Sequence, residues 1–301
     1  HRLQQITAQH QLDYERSPGC LVLLRNEKDY QLLQPGLQVL QEAGVAFTQL
    51  NADQVRQIEP ALNSDTRFLG ALHLPDDEAA NCRQFALLLK NQAQHLGVHF
   101  KFSTTVAQLD RTHPATLLVA GEDKLRRFDQ LVLCAGLASA ELLRPLGLSI
   151  PMAAVYGYAI SAPVRESLHA PGCTLLDERY QVAISRLGHR IRVSGGAEIG
   201  GAPARHNPAA LQTLYKVLRD WFPGAAQHSG GSVQAWKGAR PMLPDGQPII
   251  GNSGRPGLWL NFGHGASGWA LSCGSARALA DLMAGHAAEI DMEGLGLRQL
   301  G

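Results

Sequence analysis

Residues 263–268 read Gly-His-Gly-Ala-Ser-Gly, a G-x-G-x-x-G spacing between a strand-like run, 257–262, and a helix-like run from Trp269 to Met283. A dinucleotide fingerprint of this form opens a βαβ unit and needs a second parallel strand ending in an acid about 20 residues on. Here the first acid after the glycines, Asp281, lies inside the helical run. The fingerprint therefore lacks its context, but its physics survives. Glycines let a backbone approach a flat or anionic ligand closely. A helix starting there turns unpaired N–H groups and the positive end of its dipole toward that ligand. Gly263, His264, Gly265, Ala266, Ser267 and Gly268 are the ligand-contact candidates of this loop.

Other side chains offer less specific chemistry. His264 has no Asp or Glu close in sequence to orient it as a base, so its backbone is as good a reason for its place as its ring. Tyr156 and Tyr158 flank Gly157 and so share one face of a strand. They can present two hydroxyls to one acceptor, or simply pack in a half-buried sheet. Arg186 and Glu198 fit a cross-strand ion pair. Trp236, Trp259 and Trp269 are read as packing residues. No H-x-x-H or H-E-x-x-H spacing occurs, so no metal is expected.

The elements that must position these residues alternate along a chain of 301 residues, long enough for about two domains. Asn81 caps a helix over 82–96, closed by Gly97. Val98, Phe100, Phe102, Thr104 and Val106 alternate as a strand, and 116–120 and 124–128 form a hairpin about Gly121. The unbroken apolar run Leu131–Gly136 reads as a buried parallel strand entering a small-residue turn, with a helix over 138–146 behind it. Residues 156–160, 181–186 and 190–194 read as antiparallel strands, and Asn207-Pro208 starts a helix through Trp221. A strand over 232–238 then enters a turn-dense loop, 239–248. The fold class is mixed α/β (α+β).

Composition excludes several functions. Lys and Arg number 27 against 26 Asp and Glu, without a basic block, so nucleic acid is a poor partner. Five scattered cysteines without C-x-x-C imply neither a disulfide framework nor zinc and suit a reducing, cytoplasmic setting. No apolar run approaches the 18 or more residues of a membrane span.

Three ordered segments carry a family resemblance: Tyr156-Gly-Tyr158, Gly238-Ala-Arg-Pro-Met-Leu-Pro-Asp-Gly-Gln-Pro-Ile-Ile-Gly251, and Leu258 through Trp269. Together they resemble the flavin-dependent D-amino-acid dehydrogenases (small-subunit type), within the wider glycine oxidase and D-amino-acid oxidase family. The resemblance implies FAD as cofactor and two interleaved domains. Residues 76–148 and 252–285 would be part of an incomplete Rossmann-like FAD domain, 1–75 and 149–251 a substrate domain with an antiparallel sheet, and 286–301 a tail. It also implies that a strand, glycine loop and helix holding the FAD pyrophosphate precede His1.

Carried over residue by residue, the resemblance puts Val106 by the adenine side of FAD, Ala135 and Gly136 at a turn passing the cofactor, and the Gly263–Gly268 loop along the flavin ring. Arg240 stands where the family has the arginine that grips substrate carboxylate, and Tyr156 and Tyr158 could assist it. The implied reaction is oxidation of a D-amino acid to a 2-oxo acid and ammonia, with electrons passed to a respiratory or dye acceptor. A respiratory acceptor would add peripheral attachment at the inner membrane to a cytoplasmic location. Two other readings stand beside it: a glycine or sarcosine type of amine oxidase that uses oxygen, and an inactive remnant or subunit whose partner supplies the phosphate-binding segment.

Overall fold

The computed structural model describes residues 2–202, 204–227 and 231–298. Along the first third run α1 (Arg2–Gln9), β1 (Arg16–Leu24), α2 (Glu27–Glu42), β2 (Thr48–Asn51), α3 (Ala52–Ile58), β3 (Gly70–Ala80) and α4 (Cys82–His95). Next come β4 (Val106–Leu109), β5 (Thr116–Val119), β6 (Leu125–Arg127), β7 (Leu131–Leu133), α5 (Ala138–Leu143) and β8 (Ala153–Pro163). The rest is β9 (Thr174–Asp177), β10 (Val182–Leu187), β11 (Arg190–Ile199), α6 (Pro208–Trp221), β12 (Gln234–Met242), β13 (Ile249–Asn252), β14 (Leu258–Phe262) and α7 (Gly268–Met283).

The chain forms two compact units. One, the sheet unit, comprises Tyr14–Phe85 and Tyr156–Gly238; the other, the loop unit, comprises the chain up to Asp13, Ala86–Val155 and the chain from Ala239 on. These borders differ from the expected ones. Residues up to 13 and 239–251 go with the glycine loop because α1 packs on α7 and because Leu243 and Ile249 join the core around β14. Residues 76–85 stay with the sheet because β3 continues to Ala80, paired to β1.

The sheet unit is built on eight strands in the order β12-β8-β11-β10-β9-β1-β3-β2. Strand alternation divides its apolar residues between two faces. Leu21 and Leu23 of β1, Leu175, Ile184, Ile191 and Val193 pack with Leu214, Val217, Leu218 and Trp221 of α6, whereas Val22 packs on the other face with Leu37 of α2 and Leu72 of β3. Each fully buried side chain of this size contributes roughly 1.5–3 kcal/mol. The start of α6 follows its sequence signal: Asn207 Oδ1 accepts the Ala209 N–H at 3.0 Å, with Pro208 in the first turn.

In the loop unit β14 runs parallel to β7, pairing Leu258 with Leu131 and Leu260 with Leu133, and antiparallel to β13. Leu133, Leu258, Leu260 and Phe262 share a core with Leu143, Leu146, Ile150, Leu243 and Ile249. Asn81 caps α4 through the Gln84 N–H at 3.2 Å, and β5 and β6 form the expected hairpin about Gly121 at φ +82°.

Three expectations fail here. The run 131–136 gives only a three-residue edge strand, with Val132 exposed, because β14 is its one partner among the described residues. Residues 98–105 do not form a strand: alternation supplies a face but not an edge to pair with, and Val98, Phe100 and Phe102 are exposed, the two rings stacked at 5.8 Å. The stretch 239–242 is strand rather than loop, since β12 runs on to Met242 before turning at Gly246.

Candidate functional site

Because β7 and β14 are adjacent and parallel, their carboxyl ends deliver two turns to one end of the loop unit's sheet. That end is where α/β sheets hold ligands. After β7 come Ala135, exposed, and Gly136 at φ +55°, whose carbonyl accepts the Ser139 N–H at 3.1 Å as α5 begins. After β14 come Gly263 at φ +82° and Gly265 at φ +52°. A Cβ on Gly263 would stand 2.7 Å from Leu243 Cδ1, and one on Gly265 3.3 Å from Met242 Cγ. Both positions thus need glycine for conformation as well as space. A single 3-10 turn, Gly265–Ser267, then leads into α7 at Gly268, so Ala266 and Ser267 sit at its threshold and the Ser267 side chain caps nothing.

Three buried polar atoms within three residues of these turns have no hydrogen-bond partner among the described residues: Asn261 Oδ1, His264 Nε2 and Ser139 Oγ. Buried polar atoms are ordinarily paired. Burial also lowers the His264 pKa, which favours a neutral ring. The open backbone at Gly136 and the orphaned polar atoms fit a flat ligand with polar edges. In the same unit Val106 is half-buried opposite Val119, and the neighbouring Thr105 carbonyl is engaged by the Ala120 N–H at 2.8 Å. Arg240 lies on β12, half-buried, and desolvation lowers its guanidinium pKa from the usual arginine value. Among the described residues, no group of three or more His, Cys, Asp or Glu could hold a metal.

In the sheet unit both tyrosines are buried. Tyr158 lies in the core beneath α6. Its hydroxyl donates to Glu198 Oε2 and accepts the Asn207 N–H at 3.2 Å. Lys237 sits 4.3 Å above the Tyr156 ring and 5.4 Å from that of Tyr158. Its three ammonium protons meet Glu198 Oε1 at 3.1 Å, the Ala202 carbonyl at 2.9 Å and the Arg205 carbonyl at 2.9 Å. Tyr156, also buried, is thereby held by a structural cation. Glu198 does not pair with Arg186, which turns to the Gly188 carbonyl and Ser167 instead. Sequence reasoning missed Lys237 because even its hydrogen-bond partners lie up to 39 positions away.

A family model described as FAD dependent oxidoreductase (DAO) matches residues 1–282. The chain belongs to this family. As a DAO-family oxidoreductase, its cofactor is FAD. Its fold matches glycine oxidase from Geobacillus kaustophilus with a TM-score of 0.86 at 21% identity, over 99% of this chain and 80% of that one. It also matches L-proline dehydrogenase from P. horikoshii, with a TM-score of 0.84 at 14% identity over 98% and 79% of the two chains. For iminodiacetate oxidase from Chelativorans sp. BNC1 the values are 0.83, 20%, 99% and 80%. These likenesses give the DAO-family fold. No described helix of this family member is long and apolar enough to cross a membrane.

Proposed function

We propose that the protein oxidises D-amino acids to 2-oxo acids and ammonia, with a respiratory or dye acceptor taking the electrons. The loop unit would hold FAD, with Gly263–Gly268 along its ring, Ala135 and Gly136 at the adjoining turn and Val106 toward its adenine side. The sheet unit would supply the substrate domain. When bound, FAD supplies the hydride acceptor and carries the electron pair onward.

The observation that carries the reading is Arg240, a cation partly withdrawn from water on β12, inside the Gly238–Gly251 segment that resembles the family's carboxylate-binding stretch. A guanidinium fork grips a carboxylate through two parallel hydrogen bonds and so fixes the substrate's α-carbon. Orientation is the main demand on the protein. A neutral amine already drives loss of hydride from the α-carbon; one amine proton leaves with it, and the imino acid takes up water and releases ammonia. Near its turn, neutral His264 would add no cation of its own, and the positive end of α7 would favour the electron-rich ring electrostatically.

Arg240→Ala should leave flavin bound and lower kcat/KM for D-alanine by about a hundredfold, the loss of roughly 3 kcal/mol of charge-assisted binding. Steady-state kinetics beside the flavin absorbance ratio tests this, and activity within a few-fold of the parent would remove Arg240 from the clamp. Glycine and sarcosine in the same assay separate the two enzymatic readings: turnover of these with oxygen, and not of D-alanine, would replace the dehydrogenase with an amine oxidase.

A further inference from the structure

A second polar arrangement lies on the face of the eight-stranded sheet that α6 does not cover. Ile191 and Val193 flank Arg192, Ile184 precedes Ser185, and Leu175 follows Thr174; all four apolar residues belong to the core beneath α6. Alternation therefore sends Arg192, Ser185 and Thr174 to the opposite face. Register lines them up. Ser185 pairs with Arg192 across β10 and β11, and Ile184 pairs with Leu175 across β10 and β9, so one further step sets Ser185 beside Thr174. Thr174 in turn pairs with Cys20 of β1. The row thus runs thiol, hydroxyl, hydroxyl, guanidinium.

Two independent observations set this row apart. Thr174 is buried, yet its Oγ1 has no hydrogen-bond partner among the described residues. The Arg192 guanidinium, half-buried, makes no hydrogen bond, ion pair or ring contact among the described residues. The contrast with Arg190, two residues away on the same face, is direct: that guanidinium is engaged by Ser161 Oγ at 2.8 Å, the Ser161 carbonyl at 2.7 Å and the Ser232 carbonyl at 3.2 Å. At the far end of the row, burial and Asp77 push the Cys20 thiol up to about 12, so it stays protonated and sets no competing thiolate there.

We infer that Arg192, Ser185 and Thr174 form a carboxylate-binding subsite separate from Arg240. A fork of N–H donors and two hydroxyls match the lone pairs of a carboxylate. With the α-carboxylate assigned to Arg240, the carboxylate of this row is one carried by the substrate's side chain. The kinetic arm of the test rests on the proposed function; the binding arm does not.

Malonate is the binding probe, read by thermal shift and calorimetry on the flavin-loaded enzyme. It should stabilise the parent, and its affinity should fall at least tenfold in Arg192→Met and severalfold in Thr174→Val, with partial recovery in Arg192→Lys. Thr174→Val separates ligand from scaffold: it is nearly isosteric and removes a hydroxyl with no protein partner, so the fold should be as stable as the parent's or more so. In turnover, a KM raised about tenfold in Arg192→Met for D-aspartate alone assigns the row to side-chain carboxylates. A similar rise for D-alanine, which has no side-chain carboxylate, overturns that assignment. Absence of a malonate effect in the parent, or an equal effect in parent, Arg192→Met and Thr174→Val, overturns the subsite. Full activity in Arg240→Ala would instead overturn the proposed clamp and leave the malonate result standing.

Discussion

At Gly265 it is the backbone that calls for a missing side chain. Its backbone sits at φ +52°, and a Cβ there would crowd Met242. Gly265→Val forces a β-branched residue into the left-handed region, at a cost of about 1–3 kcal/mol, and places methyl groups in the loop proposed to line the flavin. The purified variant should keep its circular dichroism and lose most of its flavin absorbance; full flavin occupancy would show that the loop does not line the ring. At this scale the sequence was readable where the backbone needs a residue type with few substitutes, as at Gly263, Gly265 and Gly136. It was opaque where partners come from distant strands. Nothing near Lys237 in sequence announces that it will cap two carbonyls, and nothing near Arg192 or Thr174 announces a common row.

At the scale of elements, local signals gave the caps at Asn81 and Asn207 and the hairpin about Gly121, because those depend on contacts within a few residues. Residues 98–105 and the true end of β12 depend on which edge is free to pair, which alternation alone does not specify. Ion networks between elements were invisible for the same reason. Asp177 at the end of β9, fully buried, accepts Arg25 Nη2 at 2.7 Å and Trp221 Nε1 at 2.7 Å, joining β9, the end of β1 and α6. Asp177→Ala leaves a half-buried cation and a buried indole N–H short of an acceptor. It should cost about 3–5 kcal/mol in urea unfolding; a loss under 1 kcal/mol would mean that Asp220, also bonded to Arg25, suffices.

The Glu198 cluster adds a pH dependence. The Tyr158 hydroxyl and then Lys237 hold the Glu198 carboxyl below its ordinary value of 4.5, so its contribution to stability is present above that pH and is lost as pH falls through the lower folded value. Glu198→Gln should therefore lower Tm at neutral pH, with the gap to the parent narrowing as the pH is taken below 4.5. A gap independent of pH would place its origin in packing, for instance in the close approach of Gly201 to the carboxylate.

At the scale of the whole molecule, alternating helices and strands foretold a mixed α/β chain. The borders were less legible, since Leu243 and Ile249 declare their unit only through the core they join. The region before Asn81 was scarcely legible: β1 lies inside the large sheet, but its value depends on neighbours, β3 and β9, drawn from up to 154 positions away. What unites the two units is the reaction proposed for this DAO-family flavoprotein, and the most direct test of it is anaerobic mixing of the flavin-loaded enzyme with D-alanine or L-alanine while the oxidised-flavin absorbance is followed. D-Alanine should bleach the band at a rate that saturates with concentration, and L-alanine should leave it unchanged. An unbleached flavin with D-alanine and other D-amino acids, or bleaching by the L-isomer alone, would contradict the account.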